Sequence, residues 1–240
     1  MIIHFGIKIK EKPTNHISKE NYLMAKPEGM KGWKESDYIQ QVPKAGYNFD
    51  LNMAYFNSLD TSSFEKYITQ QCKKFKFKEC LNLKDLENVS GVYMMVLDNY
   101  KQVYIGVALD IKKRIMGHWH NKKSLERLIF GDVVSSVLSI DSFGALDTTR
   151  IFYLQATSYY KKEEQIIESF DSKYMLNRTA GGIGNYETGT DSAAIVNLAI
   201  VAKRKGRDLI DFVDVEKLKS ILSEESFKYY IKRYPILLEK

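Results

Sequence analysis

The stretch Gly91-Val92-Tyr93-Met94-Met95-Val96-Leu97, then Asp98-Asn99-Tyr100-Lys101, then Gln102-Val103-Tyr104-Ile105-Gly106-Val107 decides the fold of this chain. Its two outer segments are rich in β-branched, aromatic and bulky apolar residues, and its middle segment holds turn-forming residues. Two such segments joined by a short polar turn predict a β-hairpin. Across so tight a hairpin, the ring of Tyr104 is expected to lie near that of Tyr93.

Regular patterns continue after the hairpin. Asp110 is a good N-cap for a helix over residues 111–120, in which Ile111 and Ile115 mark the buried stripe. Three more elements follow: a helix over residues 122–130, a strand over 150–155 and a helix over 160–170. The order β-β-α-α-β-α predicts a small α/β (α+β) domain over residues 89–186, with a short, mostly antiparallel sheet flanked by helices.

The segments on either side of this domain are less regular. Residues 1–88 are interpreted as an N-terminal extension for DNA recognition or dimerisation, in which only a helix capped by Ser62 or Ser63 stands out. Residues 187–240 are interpreted as a helical C-terminal region. Its expected helices cover residues 190–206, 213–222 and 224–234.

Composition and charge restrict the possible functions. The chain has 240 residues, 36 basic and 30 acidic, with a net charge of +6. That balance permits a nucleic-acid partner without requiring one. Cys72 and Cys80 form no C-x-x-C pair, so neither a zinc site nor a disulfide framework is expected. We find no signal peptide and no apolar run of membrane-spanning length, so we expect a cytoplasmic protein, bacterial or phage-encoded, without a membrane partner.

Several motifs in the middle of the chain resemble those of the GIY-YIG nuclease family. The two halves of the family's name are matched by Gly91-Val92-Tyr93, with Val in place of Ile, and by Tyr104-Ile105-Gly106. Arg114, ten residues beyond Tyr104, lies in a segment similar to the family's helix with its essential arginine. The family's metal-binding glutamate, its asparagine and its closing glycines resemble Glu163-Glu164-Gln165-Ile166-Ile167, Leu176-Asn177 and Gly181-Gly182.

The resemblance implies a phosphodiester hydrolase that uses Mg²⁺, with Mn²⁺ expected to substitute. One carboxylate with water and phosphate oxygens suits such an ion. Three glutamates compete for this role: Glu163, Glu164 and Glu168. We choose Glu164 as the catalytic metal ligand, because the run Glu-Gln-Ile-Ile leading to Leu-Asn best fits the family's helix.

The resemblance also assigns roles to the other side chains. Tyr93 is expected to orient or deprotonate the attacking water, and His118 to take the proton onward or hydrogen-bond that phenol. Arg114 and His118 lie four residues apart, so they share one helical face. Arg114 is expected to clamp a phosphate, because its planar fork binds two oxygens. Tyr104 is expected to support the site.

Three further residues are expected to bind the substrate. These are Gly106, which allows close approach of the backbone, Lys113, and Asn177, which holds a loop or a phosphate.

The predicted function is a site-specific DNA endonuclease of the restriction or defence type. Cutting both strands of a palindromic site requires two active sites, so a homodimer is expected. Two alternatives stay open from the sequence. One is a non-catalytic nucleic-acid-binding or regulatory protein that retains the fold, and the other is a structure-specific or single-strand nuclease.

Overall fold

The computed structural model describes residues 1–24, 34–121, 125, 128–156, 159–178 and 209–240. These residues form an α+β structure, as the sequence predicts. The strands are β1 (Ile2–His4), β2 (Ile7–Ile9), β3 (Lys78–Glu79), β4 (Gly91–Leu97), β5 (Gln102–Ala108) and β6 (Arg150–Gln155). The α-helices are α1 (Lys19–Leu23), α2 (Glu35–Ser58), α3 (Thr61–Phe75), α4 (Ile111–His120), α5 (Tyr159–Ser169), α6 (Val215–Ile221) and α7 (Glu224–Arg233).

The main sheet is antiparallel with strand order β3-β6-β4-β5. Its centre is the predicted hairpin, in which Tyr93 pairs with Gly106. The turn closes at Lys101, whose φ of 48° lies in the left-handed region. Strand β6, also predicted, pairs with β4 on the side opposite β5. The sequence prediction of the hairpin and the third strand is therefore confirmed.

Every residue of β4 is buried, so both faces of the sheet are covered at its centre. On one face, Val92, Met94 and Val96 join a core with Phe64 of α3 and Ile166 of α5. Because side chains alternate along a strand, Tyr93 points to the opposite face. That face is covered in part by α4, where Ile111 and Ile115 are buried as predicted. One face of the sheet is thus an apolar core, and the other contains the polar groups described below.

The described residues fall into two compact units that differ from the predicted linear division at residues 88 and 186. A sheet unit combines residues within 1–18, 59–123 and 139–206. A helical unit combines residues within 19–58, 124–138 and 207–240. The division at residue 88 is wrong because α3 packs Phe64 and Ile68 into the core of the sheet. Residues 1–88 are therefore divided between the two units and are not one extension.

The helical unit contains the largest error of the sequence interpretation. Residues 35–58 form one helix of 24 residues where an irregular segment was expected. Pro43 lies inside this helix, and proline ordinarily argues against a helix interior. Buried Asn48 and Asn52 also interrupt its apolar pattern, and the Nδ2 atoms of both donate to the carbonyl oxygen of Ser136 at 2.7 and 2.9 Å. These contacts satisfy the buried amides. Because the two residues are polar, however, they break the apolar periodicity that would have predicted the helix.

The other predicted helices agree more closely with the structure. Helices α5, α6 and α7 match their predicted positions within a few residues. Helix α3 is also present. Its N-cap is Asp60, whose side chain accepts a hydrogen bond from Ser63 N, and not Ser62 or Ser63 as predicted. The predicted helix over 190–206 lies outside the described residues, as does most of that over 122–130. In the described parts of the chain, no helix is long and apolar enough to cross a membrane.

Candidate active site

A cleft of about 860 Å³ opens on the polar face of the sheet unit. Its walls come from the ends of β4 and β5, from α4, from the turn at residues 139–141 and from α5. Six of the predicted site residues line it: Tyr93, Tyr104, Lys113, Arg114, His118 and Asn177. The fold therefore brings together side chains that are up to 84 positions apart in the sequence.

Tyr93 and Tyr104 lie side by side, with ring centroids 6.2 Å apart, as the hairpin pattern predicts. Gly106 explains how they fit. A Cβ atom at residue 106 would lie 2.5 Å from the Tyr93 hydroxyl oxygen and 3.0 Å from Cε1 of Tyr104. Gly106 was expected to admit a substrate, but in this structure it admits the ring of Tyr93. Glycine is required here because the phenol occupies the space of a side chain.

The Tyr93 hydroxyl begins a chain of hydrogen bonds. Its oxygen lies 2.8 Å from Nε2 of His118, and Nδ1 of His118 lies 2.5 Å from Oδ1 of Asp141. The imidazole is only 3% exposed, so both of its nitrogens bond inside the protein. The sequence suggested a contact between Tyr93 and His118, but it gave no sign of Asp141. That residue lies 21 positions after the end of helix α4, and no motif marks it.

Arg114 contacts the same phenols from helix α4. Its guanidinium lies close enough to Tyr93 and Tyr104 to counter the rise in the pKa of both phenols. Arg114 and His118 line one wall of the cleft, which confirms that they share a helical face. Partial burial lowers the pKa of Arg114, but the phenols and the Asp141 carboxylate outweigh this effect and raise it. The guanidinium is thus a permanent cation beside the tyrosine pair.

Burial controls the ionisation of Tyr93. It raises the pKa of the Tyr93 phenol well above its ordinary value, and Tyr104 raises it further. The Arg114 guanidinium lowers the pKa without reversing the shift. Tyr93 therefore stays protonated at neutral pH, and its O–H can donate to His118. This environment disfavours a preformed phenolate at Tyr93.

Of the three candidate glutamates of α5, Glu163 is the one that lines the cleft. Glu163 is 4% exposed and lines the cleft, whereas Glu164 is exposed and does not. The prediction that the Glu164 side chain faces the site is wrong by one residue. Successive residues on a helix point about 100° apart, so this error turns the carboxylate away from the site. Ile166, three residues after Glu163, is fully buried and marks the inward face of α5.

The donor set of the cleft can be compared with the needs of metal ions. In the described segments, no group of three or more His, Cys, Asp or Glu side chains could hold a metal. Closed sets of three or four protein ligands are typical of structural zinc. Mg²⁺ is different, because it keeps several waters and commonly binds through one or two carboxylates plus substrate phosphates. Glu163 fits that pattern as the protein ligand.

Asn177 has a structural position within the cleft wall. Its Oδ1 accepts from Ile105 N at 3.0 Å, and its Nδ2 donates to Ile105 O at 2.7 Å. Leu176 N also donates to Val103 O at 2.8 Å, so residues 175–177 extend the sheet beside β5. Of the two predicted roles, holding a loop is the one that the contacts describe.

Among the described residues, three cations line the cleft: Lys113, Arg114 and Arg178. Lys113 and Arg114 were predicted, and Arg178 was missed because a lone arginine beside the Leu-Asn pair carries no pattern of its own. These cations make the cleft suitable for a phosphate-bearing ligand.

No protein-family model, no curated protein and no solved structure matches this chain.

Proposed function

We propose that this chain is a magnesium-dependent endonuclease that hydrolyses phosphodiester bonds in DNA. The observation that carries the proposal is the hydrogen-bonded chain from Tyr93 to His118, with the guanidinium of Arg114 at the same phenol. Hydrolysis of a phosphodiester needs a deprotonated water, compensation of charge at phosphorus and help for the leaving oxygen. The residues of the cleft suit these needs one by one.

Deprotonation of water is assigned to Tyr93 and His118 acting together. The Tyr93 O–H donates to His118 Nε2 over 2.8 Å. As water attacks phosphorus, it gives a proton to the Tyr93 oxygen while Tyr93 passes its own proton to His118. The phenol never becomes a free phenolate, which its buried position disfavours. His118 then releases the proton to solvent.

Charge compensation is assigned to Arg114. Negative charge grows on the non-bridging oxygens as the new P–O bond forms and the old one breaks, and a fixed cation offsets it. Such a donor contributes a few kcal/mol of transition-state stabilisation. The guanidinium lies beside the two phenols in the cleft before substrate arrives.

Glu163 is the residue that would hold the ion. Mg²⁺, when bound there, neutralises charge on the phosphate and on the leaving oxygen. The leaving oxygen keeps the electron pair of the broken bond and takes a proton from solvent. We extend the proposal to site-specific cleavage of double-stranded DNA by a homodimer, supported by the family resemblance of the motifs and by the need for one cleft per strand.

The test is incubation of the purified protein with supercoiled plasmid and with phage DNA, in Mg²⁺ or in EDTA. We expect discrete fragments in Mg²⁺, the same fragments when Mn²⁺ replaces Mg²⁺, and intact DNA in EDTA. Arg114→Ala should slow cleavage about 10²–10³-fold. Lys112→Ala is the matched control, because it removes a neighbouring cation of the same helix that pairs with Glu87 outside the cleft. It should change the rate little.

Other outcomes would revise the proposal in definite ways. A smear of fragments would replace the site-specific subclass with a non-specific nuclease. DNA binding without metal-dependent cleavage would favour the non-catalytic alternative. Equal rates for wild type and Arg114→Ala would remove the assigned chemistry.

A further inference from the structure

We propose that Asp141 is a positioning residue that fixes the tautomer of His118, so that Nε2 faces Tyr93 as a hydrogen-bond acceptor. The inference rests on the proposed function for its catalytic consequence, but its structural content can be measured separately. Nothing in the sequence motifs assigns a role to this aspartate.

The contacts at the imidazole determine where its proton lies. Oδ1 of Asp141 is 2.5 Å from Nδ1 of His118, and an ionised carboxylate only accepts hydrogen bonds. Nδ1 must therefore carry the hydrogen. In the neutral ring, Nε2 is then an acceptor, and the Tyr93 hydroxyl 2.8 Å away is its donor. Without Asp141, the imidazole could place its hydrogen on Nε2 and block the transfer.

The carboxylate is held by its own short turn. Residues 140–142 form a 3₁₀ turn in which Ser139 Oγ accepts from Asp141 N at 3.2 Å. Ile140 and Phe143 on either side of Asp141 are buried, and Phe143 N donates to Ile140 O at 3.1 Å. The backbone therefore has apolar anchors before and after the aspartate. This arrangement suits a group whose task is to hold another side chain still.

Of the polar groups around His118, Asp141 is the one that fixes the tautomer of the imidazole. The ring of Tyr104 lies edge-on to the imidazole, with centroids 5.1 Å apart, and contributes packing. Arg114 is a cation whose guanidinium has no acceptor atom, so it would not accept a hydrogen bond from Nδ1. Among the described contacts of the ring nitrogens, the Asp141 carboxylate is the one that can select the tautomer.

Asp141 also acts when the proton moves. Transfer from Tyr93 converts His118 to an imidazolium, whose charge the adjacent carboxylate offsets. The arrangement follows the logic of an Asp-His pair serving a hydroxyl group, with a phenol and a water in place of a serine. In such a triad, replacing the aspartate by asparagine lowers kcat by about 10⁴ through the wrong tautomer.

The test compares Asp141→Asn with Asp110→Asn. Both substitutions remove one negative charge from the lining of the same cleft, and asparagine is as good an N-cap as aspartate at residue 110. We expect Asp141→Asn to lower kcat by about 10²–10⁴ with little change in KM, since an amide can meet Nδ1 with either its oxygen or its NH₂. Asp110→Asn should stay close to wild type.

A second measurement does not depend on activity. The ¹⁵N spectrum of histidine-labelled protein distinguishes protonated from unprotonated ring nitrogens, and a His118→Gln variant assigns the signals among the four histidines. We expect a protonated Nδ1 and an unprotonated Nε2 in the wild type, and a loss of that pattern in Asp141→Asn. A pattern that survives in Asp141→Asn overturns the inference, whatever the rate does.

The two proposals fail differently. If the wild type cleaves no DNA but shows the expected pattern, the nuclease proposal fails and the positioning of His118 stands. If the wild type cleaves DNA and Asp141→Asn is equally fast, the inference about Asp141 fails and the nuclease proposal stands.

Discussion

Gly106→Ala should damage the site by a displacement that the structure allows to be sized. The new methyl carbon would lie 2.5 Å from Oη and 2.6 Å from Cζ of Tyr93. Relaxed contacts between such atoms are about 3.5 Å, so the ring must move by roughly 1 Å. The Tyr93–His118 hydrogen bond of 2.8 Å would then stretch to about 3.6–3.8 Å, beyond hydrogen-bond range. A shift of about 1 Å at a reacting group costs about 10²-fold in rate.

Two assays separate loss of geometry from loss of fold. Overpacking of this kind costs about 1–3 kcal/mol of unfolding free energy, measured by urea denaturation, while the single-turnover rate on plasmid should fall about 100-fold. Gly117→Ala is the matched control, because among the described residues a Cβ there meets only Nδ2 of Asn121 at 4.0 Å. In helix α4 that change should preserve the rate and add about 0.5–1 kcal/mol of stability. A Gly106→Ala protein that cleaves at the wild-type rate would refute the role given to the Tyr93 ring.

The remaining predictions concern the carboxylate, the phenol and the amide of the cleft. Glu163→Gln should abolish Mg²⁺-dependent cleavage, and Glu164→Gln, one residue along the same helix, should keep most of it; the reverse result would restore the original assignment. Because the folded pKa of Tyr93 is raised above the unfolded value, its buried neutral phenol stabilises the fold below about pH 10, and that stability is lost as the pH rises further. Alkaline denaturation should therefore begin above that pH, and Tyr93→Phe should tolerate higher pH; an absorbance titration at 295 nm that shows Tyr93 ionised near pH 8 would contradict this. Asn177→Ala leaves a buried N–H and C=O of β5 without their partners, which costs about 2–4 kcal/mol in urea denaturation. A cost under about 0.5 kcal/mol would mean that the amide does not hold the loop.

The predictable part of the site is the part whose residues are close in sequence. Tyr93, Tyr104 and Gly106 lie on one hairpin, where the period of two fixes which side chains share a face. Arg114 and His118 lie one turn apart on a helix whose cap and apolar stripe are visible in the sequence. In both elements a local rule determines direction, so the sequence alone predicts that these groups converge.

For the glutamates of α5, helical periodicity identifies the inward-facing residue better than the match to a motif does. Helix α5 has buried Glu163 and Ile166 at a spacing of three. The apolar face around Ile166 therefore indicates Glu163 as the inward carboxylate, whereas the match to a motif selected its neighbour. Motif matching tolerates an error of one residue, but helical periodicity does not, because one residue turns the side chain by about 100°.

Asp141 shows where sequence reasoning stops for a physical reason. Its turn is placed by tertiary packing, through buried Ile140 and Phe143, and its carboxylate meets His118 at a sequence separation of 23. A single aspartate in such a segment is indistinguishable in sequence from a solvated one. Its role follows from its contact with His118. A buried neutral imidazole that accepts a hydrogen bond at Nε2 carries its hydrogen on Nδ1, so it needs an acceptor beside Nδ1.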